Sequence, residues 1–204
     1  MHRTKIRICM RIENAIIYGN KGAVPGVNLP MEKKPLYTIG HGNRRIDELL
    51  ALLKEYGIGY LVDVRSQPYS KFNPQFNREN LERSAKEEKI RYVYMGDLLG
   101  GRPKDLSCYT YGRVDHELIK TKDFFKKGIR RLKTAYEKDL LIAIMCSESK
   151  PSECHRTKLI GEALAADNII LKHINEHGKL KEHADVIKMI KKKNPGGGLF
   201  TIVP

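Results

Sequence analysis

The chain carries four cysteines, Cys9, Cys108, Cys146 and Cys154, and the last two share a segment with other reactive side chains: Cys146-Ser147-Glu148 and Cys154-His155-Arg156. Cys146 offers a nucleophile. Nearby cations and helix N-termini bring a thiol from a pKa of ~8.5 to ~3.5–7.5 and so favour the thiolate. His41 or His155 supplies a base or a cation, Asp63 completes an acid/base pair with His41, and Arg65, Arg102 and Arg156 can clamp an anion such as phosphate. A second chemistry is metal binding, since Cys146, Cys154, His155, His41 and Asp63 include thiolate and imidazole ligands suited to Zn²⁺. Seven residues separate the two cysteines, however, and no Cys-x-x-Cys pair exists, so no standard zinc module is matched. A third is a reversible Cys146–Cys154 disulfide, which requires Cα atoms within about 7 Å. Against all three stands a plain role for Cys146 as a small buried hydrophobe ending a strand. Nine residues lie between Cys146 and Arg156, unlike the Cys-x5-Arg loop of cysteine phosphatases.

These groups must be positioned by the elements around them. Leu140–Met145 is an apolar run of strand length, as expected of a strand covered on both faces in a parallel sheet. Pro151 and Ser152 signal a helix start, with Ser152 as cap and Cys154, His155 and Arg156 in its first turn. Cys146 would then stand at a strand's carboxyl end, where open α/β sheets hold ligands. Upstream, Leu36–Ile39 reads as a strand. The helix after it carries Ile46, Leu49, Leu50 and Leu53 on one face and stops at Gly57, and a second strand follows in Ile58–Val64. This βαβ order predicts parallel strands. The loop 66–77 is polar and proline-broken, with Asn73, Gln75 and Asn77 as substrate-contacting candidates and Asn77 as the next helix cap. Ile90–Met95 is a third strand, leading to a Gly100-Gly101-Arg102 turn. Residues 103–120 show no periodicity and read as a long loop. A helix from Thr121 places Phe125, Ile129, Leu132 and Tyr136 inward, Ile169–Ile174 is a fifth strand, and a short helix spans about Val186–Ile190. The expected fold is α/β, a single Rossmann-like domain with a mainly parallel sheet of about five strands and flanking helices.

Three segments follow: a basic N-terminal extension (1–34), the α/β domain (35–190) and a tail (191–204) holding Lys191–Lys193 and a Gly196–Gly198 linker. The extension reads as an added strand, a basic arm, or sequence translated upstream of a start at Met31. The formal charge of +14, from 38 Lys+Arg against 24 Asp+Glu, suits anionic small molecules or nucleic acid. No apolar run approaches the ~20 residues of a membrane span and no signal-peptide core is present, which predicts a cytoplasmic protein without a membrane partner. No cofactor is named by the sequence: Gly40-His41-Gly42 lacks the third glycine of a dinucleotide loop and no Walker lysine follows.

Taken together and in order, Tyr37-Thr38-Ile39-Gly40-His41, Asp63-Val64-Arg65, Asn73-Pro74-Gln75-Phe76-Asn77, Leu99-Gly100-Gly101, Cys146-Ser147-Glu148 and Cys154-His155-Arg156 resemble the signature segments of the domain-of-unknown-function 488 family, over about residues 36–177. The resemblance implies key positions and an α/β fold and implies no reaction. Gly42 stands where that family commonly has Ser.

The leading expectation is an enzyme with Cys146, His41 and Asp63 catalytic and an anionic substrate, nucleotide or nucleic-acid derived ones included. Arg65, Asn73, Gln75, Asn77, Gly100, Gly101, Arg102, Glu148, His155 and Arg156 would bind it. The alternatives are a noncatalytic nucleic-acid-binding module and a metal-binding protein using Cys146, Cys154 and His155.

Overall fold

A computed structural model describes residues 33–193. The N-terminal extension up to residue 32 and the Gly196–Gly198 linker lie outside the described residues. Within them, strands β1 (Leu36–Gly40), β2 (Tyr60–Asp63), β3 (Arg91–Tyr94), β6 (Ile142–Cys146), β7 (Leu171–Ile174) and β8 (Leu180–Glu182) form one sheet in the order β3-β2-β6-β1-β7-β8. The first five run parallel. β8 adds an antiparallel edge through a turn in which the Asn175 side chain accepts from the N–H groups of His177 and Lys179. The helices are α1 (Ile46–Glu55), α2 (Arg78–Glu87), α3 (Gly96–Leu99), α4 (His116–Thr121), α5 (Asp123–Glu137), α6 (Glu162–Ala165) and α7 (His183–Lys193), with a π-helical segment over Arg156–Gly161.

The alternation of β6 divides the core. Ile142, Ile144 and Cys146 join Phe125, Ile129 and Leu132 of α5, Leu159 and Ile160 of the π segment, and Leu164 beyond it. Ala143 and Met145 face the other way, onto Leu49, Leu50 and Leu53 of α1 and Leu81 and Ala85 of α2. All five β6 residues are therefore buried, as the unbroken apolar run requires. The chain leaves β1 toward one face and β6 toward the other, although the two strands are hydrogen-bonded neighbours with Gly40 level with Cys146. Their carboxyl ends form the sheet's topological switch point, the position of the ligand crevice in open α/β sheets.

Three sequence expectations change. The loop 103–120 contains a hairpin, β4 (Tyr109–Thr110) with β5 (Arg113–Val114), and then α4, capped by Asp115 accepting from the N–H groups of Glu117 and Leu118. Its turn places both Tyr111 and Gly112 at positive φ, so the reversal is too short to show a period. The helix after Pro151 is only a 3-10 turn, Pro151–Glu153, with Lys150 rather than Ser152 as its cap. Cys154 is extended and His155 caps the π segment, so these two residues precede the helix instead of sitting in its first turn. The C-terminal helix begins at His183 and runs through Lys193.

A buried polar chain ties this side together. Thr38 Oγ1 lies 2.7 Å from His173 Nδ1, His173 Nε2 lies 2.9 Å from His183 Nδ1, and His183 Nε2 lies 3.2 Å from Glu162 Oε1. With the Glu162 carboxylate oxygen as the terminal acceptor and both imidazoles neutral, each proton has one place: Thr38 donates to His173, His173 to His183 and His183 to Glu162. His183 also packs on Gly161, where an added Cβ would fall 2.7 Å from its Cε1. The chain thus fastens β1, β7 and α7 to the segment that follows Cys154-His155-Arg156. Among the described residues, no helix is long and apolar enough to cross a membrane.

Candidate metal centre

Cys146 is the last residue of β6, held by the parallel ladders on both sides. Beyond it the chain folds back over β1: His41 N–H donates to the Cys146 carbonyl and Gly42 N–H to that of Ser147. This crossing requires glycine at 40, because a Cβ there would stand 1.8 Å from the Glu148 carbonyl oxygen. Arg156, fully buried, closes the loop from the other side by donating to the carbonyls of Glu148 (2.5 Å) and Ser149 (3.2 Å). The extended Cys154 then brings its sulfur back to the strand end. Its neighbour His155 packs on Gly101, where a Cβ would meet the ring at 2.8 Å.

The result is a four-residue cluster. Cys146 Sγ, Cys154 Sγ, one oxygen of Glu148 and one nitrogen of His155 all lie within 4.8 Å of one another. His155 Nδ1 is 3.6 Å from Cys146 Sγ and 3.7 Å from Cys154 Sγ. Glu148 Oε2 is 2.7 Å from the first sulfur and 3.1 Å from the second. Both cysteines are buried and unbridged; Glu148 is the exposed member. The hydrogen bond with Cys154, followed by burial, pushes the Cys146 thiol well above its ordinary value. Burial pushes Cys154 up too, but the hydrogen bond from Cys146 and the positive charges of Arg156 and His155 outweigh it and pull that thiol well below. The Arg156 backbone N–H, 3.4 Å away, points at the same sulfur. Burial lowers His155, yet its contacts with Cys154 win and its pKa rises. The two thiols are thus moved in opposite directions, Cys154 toward the thiolate and Cys146 toward the thiol, and His155 is moved toward its protonated form.

A second cluster lies beside the first. Asp63, fully buried, accepts from Arg65 Nη2 at 2.6 Å, from Arg65 Nε and backbone N–H, and from the Tyr92 hydroxyl at 2.8 Å. The other face of the guanidinium reaches His41: Arg65 Nη1 is 3.3 Å from His41 Nε2. Burial pushes His41 down to about 4, so it is neutral at pH 7. Its Nδ1–H donates to the Gly42 carbonyl at 2.8 Å, which leaves Nε2 to accept from Arg65. The ring stacks on Phe76, whose carbonyl accepts from Arg65 Nη2. Asp63 thus accepts from Arg65 and Tyr92 and His41 accepts from Arg65, and the trio braces loop 66–77.

Of the remaining candidates, Asn77 Oδ1 accepts from Ser70 N–H and closes that loop; Asn73 and Gln75 frame and occupy the 3-10 turn Pro74–Phe76. Gly100 and Gly101 let the turn after α3 approach Ser66 and His155, and the exposed Arg102 donates its backbone N–H to Ser66 Oγ. Tyr92, which holds Asp63, was not among the candidates. Its alternation with Tyr94 in the third strand was the available signal.

A family model described as domain of unknown function DUF488 matches residues 45–164. The chain belongs to this family. The match spans β2, loop 66–77, Gly100-Gly101 and both cysteine segments of the DUF488 domain, and begins just after His41. No curated protein matches the chain.

Proposed function

We propose that this DUF488 protein is a metal-dependent enzyme whose centre is formed by Cys146, Cys154, His155 and Glu148, at the carboxyl edge of the sheet. One observation carries the reading: a single imidazole nitrogen stands 3.6 and 3.7 Å from two cysteine sulfurs. Tetrahedral zinc with Zn–S of about 2.3 Å and Zn–N of about 2.05 Å requires an S···N edge of ~3.5 Å. The donor set, two thiolates with an imidazole, suits Zn²⁺ over a hard oxygen-seeking cation. In this reading Cys146 is a ligand, not a nucleophile. Arg156, behind Glu148, contributes positive charge beside the anionic ligands, and the second cluster holds the loops around the site. The net charge of +14 supports an anionic substrate.

The test is metal analysis of the purified full chain after exposure to Zn²⁺ and gel filtration. One ion per chain is expected, lost in Cys154→Ala and retained in Cys108→Ala, which alters a buried cysteine outside the cluster. In the wild type, Cys146 and Cys154 should resist alkylation until a chelator is added. A chain that retains no zinc while Cys146 alkylates at the same rate with and without chelator would exclude the metal centre and return the thiol to the role of nucleophile.

A further inference from the structure

Resting on the metal reading, we infer that the ion is held by three protein ligands, Cys146, Cys154 and His155, and that Glu148 is the proton-transferring carboxylate of a hydrolytic centre. The four groups are not equivalent. Both sulfurs are buried, and His155 Nδ1 already stands near the tetrahedral edge distance from each of them. Glu148 alone is exposed, and its oxygen stands 2.7 and 3.1 Å from the sulfurs, inside the ~3.5 Å edge that a fourth zinc ligand would keep from them. It would have to retreat by about 0.4–0.8 Å to clear that edge. The means of retreat is built in. The Glu148 backbone is clamped, with its carbonyl between Gly40 and the Arg156 guanidinium, whereas its other carboxylate oxygen is engaged by the hydroxyl of Ser147 at 3.2 Å, on the exposed side. A fixed main chain with a carboxylate that meets the sulfurs through one oxygen and the exposed side through the other suits a general base better than a ligand.

Three ligands, an open fourth position and an adjacent carboxylate that does not ligate is also the arrangement of hydrolytic zinc centres that take His/Cys/Cys ligands. The short spacing serves it: Cys146 ends the strand, Glu148 lies two residues on, and the turn at Pro151 returns Cys154-His155 to the same point. The substrate class follows from the chemistry. It carries an electrophilic carbon or phosphorus bearing a nitrogen or oxygen leaving group that must be protonated to depart. Glu148 accepts a proton from the attacking water as the water oxygen bonds to the electrophile. It returns that proton to the leaving group as the bond to it breaks. Water is the only co-reactant, and Glu148 ends as it began.

The experiment compares Glu148→Gln and Glu148→Ala with Cys146→Ala, Cys154→Ala and His155→Ala in the full chain, measuring zinc affinity by competition with a chelating dye and folding by circular dichroism. Both Glu148 variants should hold one zinc with affinity within about threefold of wild type, while each ligand variant loses at least tenfold. Cobalt-loaded wild type should also change its visible spectrum when acetohydroxamate, a bidentate probe of an open position, is added. A tenfold or greater loss of affinity in folded Glu148→Gln, or a cobalt spectrum indifferent to the probe, overturns the assignment while leaving the metal centre standing. Wild type that binds neither ion overturns both.

Discussion

Lowering the pH from 7.5 to 5.5 should remove about 4 kcal/mol of stability, because the fold holds buried neutral imidazoles. Burial pushes His41 and His116 down to about 4 and His173 to about 3, from an ordinary value of 6.5. For a histidine lowered in the folded state, the stabilisation is complete above the unfolded pKa and is lost as pH falls toward the folded one. At pH 5.5 each of these groups binds about 0.9 proton unfolded and almost none folded, a difference of about 1.3 kcal/mol per group over the interval. His183 is lowered also and adds in the same direction; His155, raised by Cys154, opposes. The aspartates held low by local hydrogen bonds, Asp47, Asp105 and Asp115, contribute below about pH 4 and stay constant in this window. Against a total of about 5–15 kcal/mol the loss is large. Urea unfolding at half-unit pH steps, at fixed zinc concentration, measures it. The His173→Gln variant should show a slope smaller by about one proton, and its difference from wild type isolates the polar chain from any effect of zinc. A wild-type change below about 1 kcal/mol, or an unaltered slope in the variant, would mean that these imidazoles take up protons in the folded state, and the proton assignment from Thr38 to Glu162 would be wrong.

Two further substitutions probe the supports of the site. Arg65→Met removes the partner of a fully buried carboxylate and should cost about 3–5 kcal/mol by urea unfolding; a cost under about 1 kcal/mol would show that the Asp63–Arg65 pair is not what supports this end of the sheet. Gly101→Ala places a methyl 2.8 Å from the His155 ring and should weaken zinc retention more than it lowers the thermal midpoint; unchanged retention would show that the ring has room to shift.

The parts of this architecture that sequence reveals are those with a local physical cause. The run Leu140–Met145 names a two-sided strand because every residue must be buried, and the first βαβ unit is legible because apolar periodicity changes at Gly57. β8 escaped because Leu180-Lys181-Glu182 are all exposed, leaving no alternation to read; its signal is the turn-forming Asn175 and Gly178, with Gly178 at positive φ. The site divides along the same line. Cys146 and His41 at the same carboxyl edge of the sheet follow from parallel topology alone, and Asp63 next to Arg65 from their spacing, whereas the adjacency of β1 and β6 does not. That the Asp63–Arg65 pair is also held by the Tyr92 hydroxyl and the Phe76 carbonyl depends on residues that arrive from other elements and leave no mark in the Asp63-Val64-Arg65 segment. The cysteine pair shows the limit most sharply. Its seven-residue gap matches no zinc module because such modules close on short reverse turns within one chain segment, whereas here the return is made by a strand end, a loop crossing Gly40, and a 3-10 turn that breaks at an extended Cys154. The spacing of the four side chains belongs to the sheet and not to the motif, so a cluster of this kind becomes visible only when the switch point between β1 and β6 is placed.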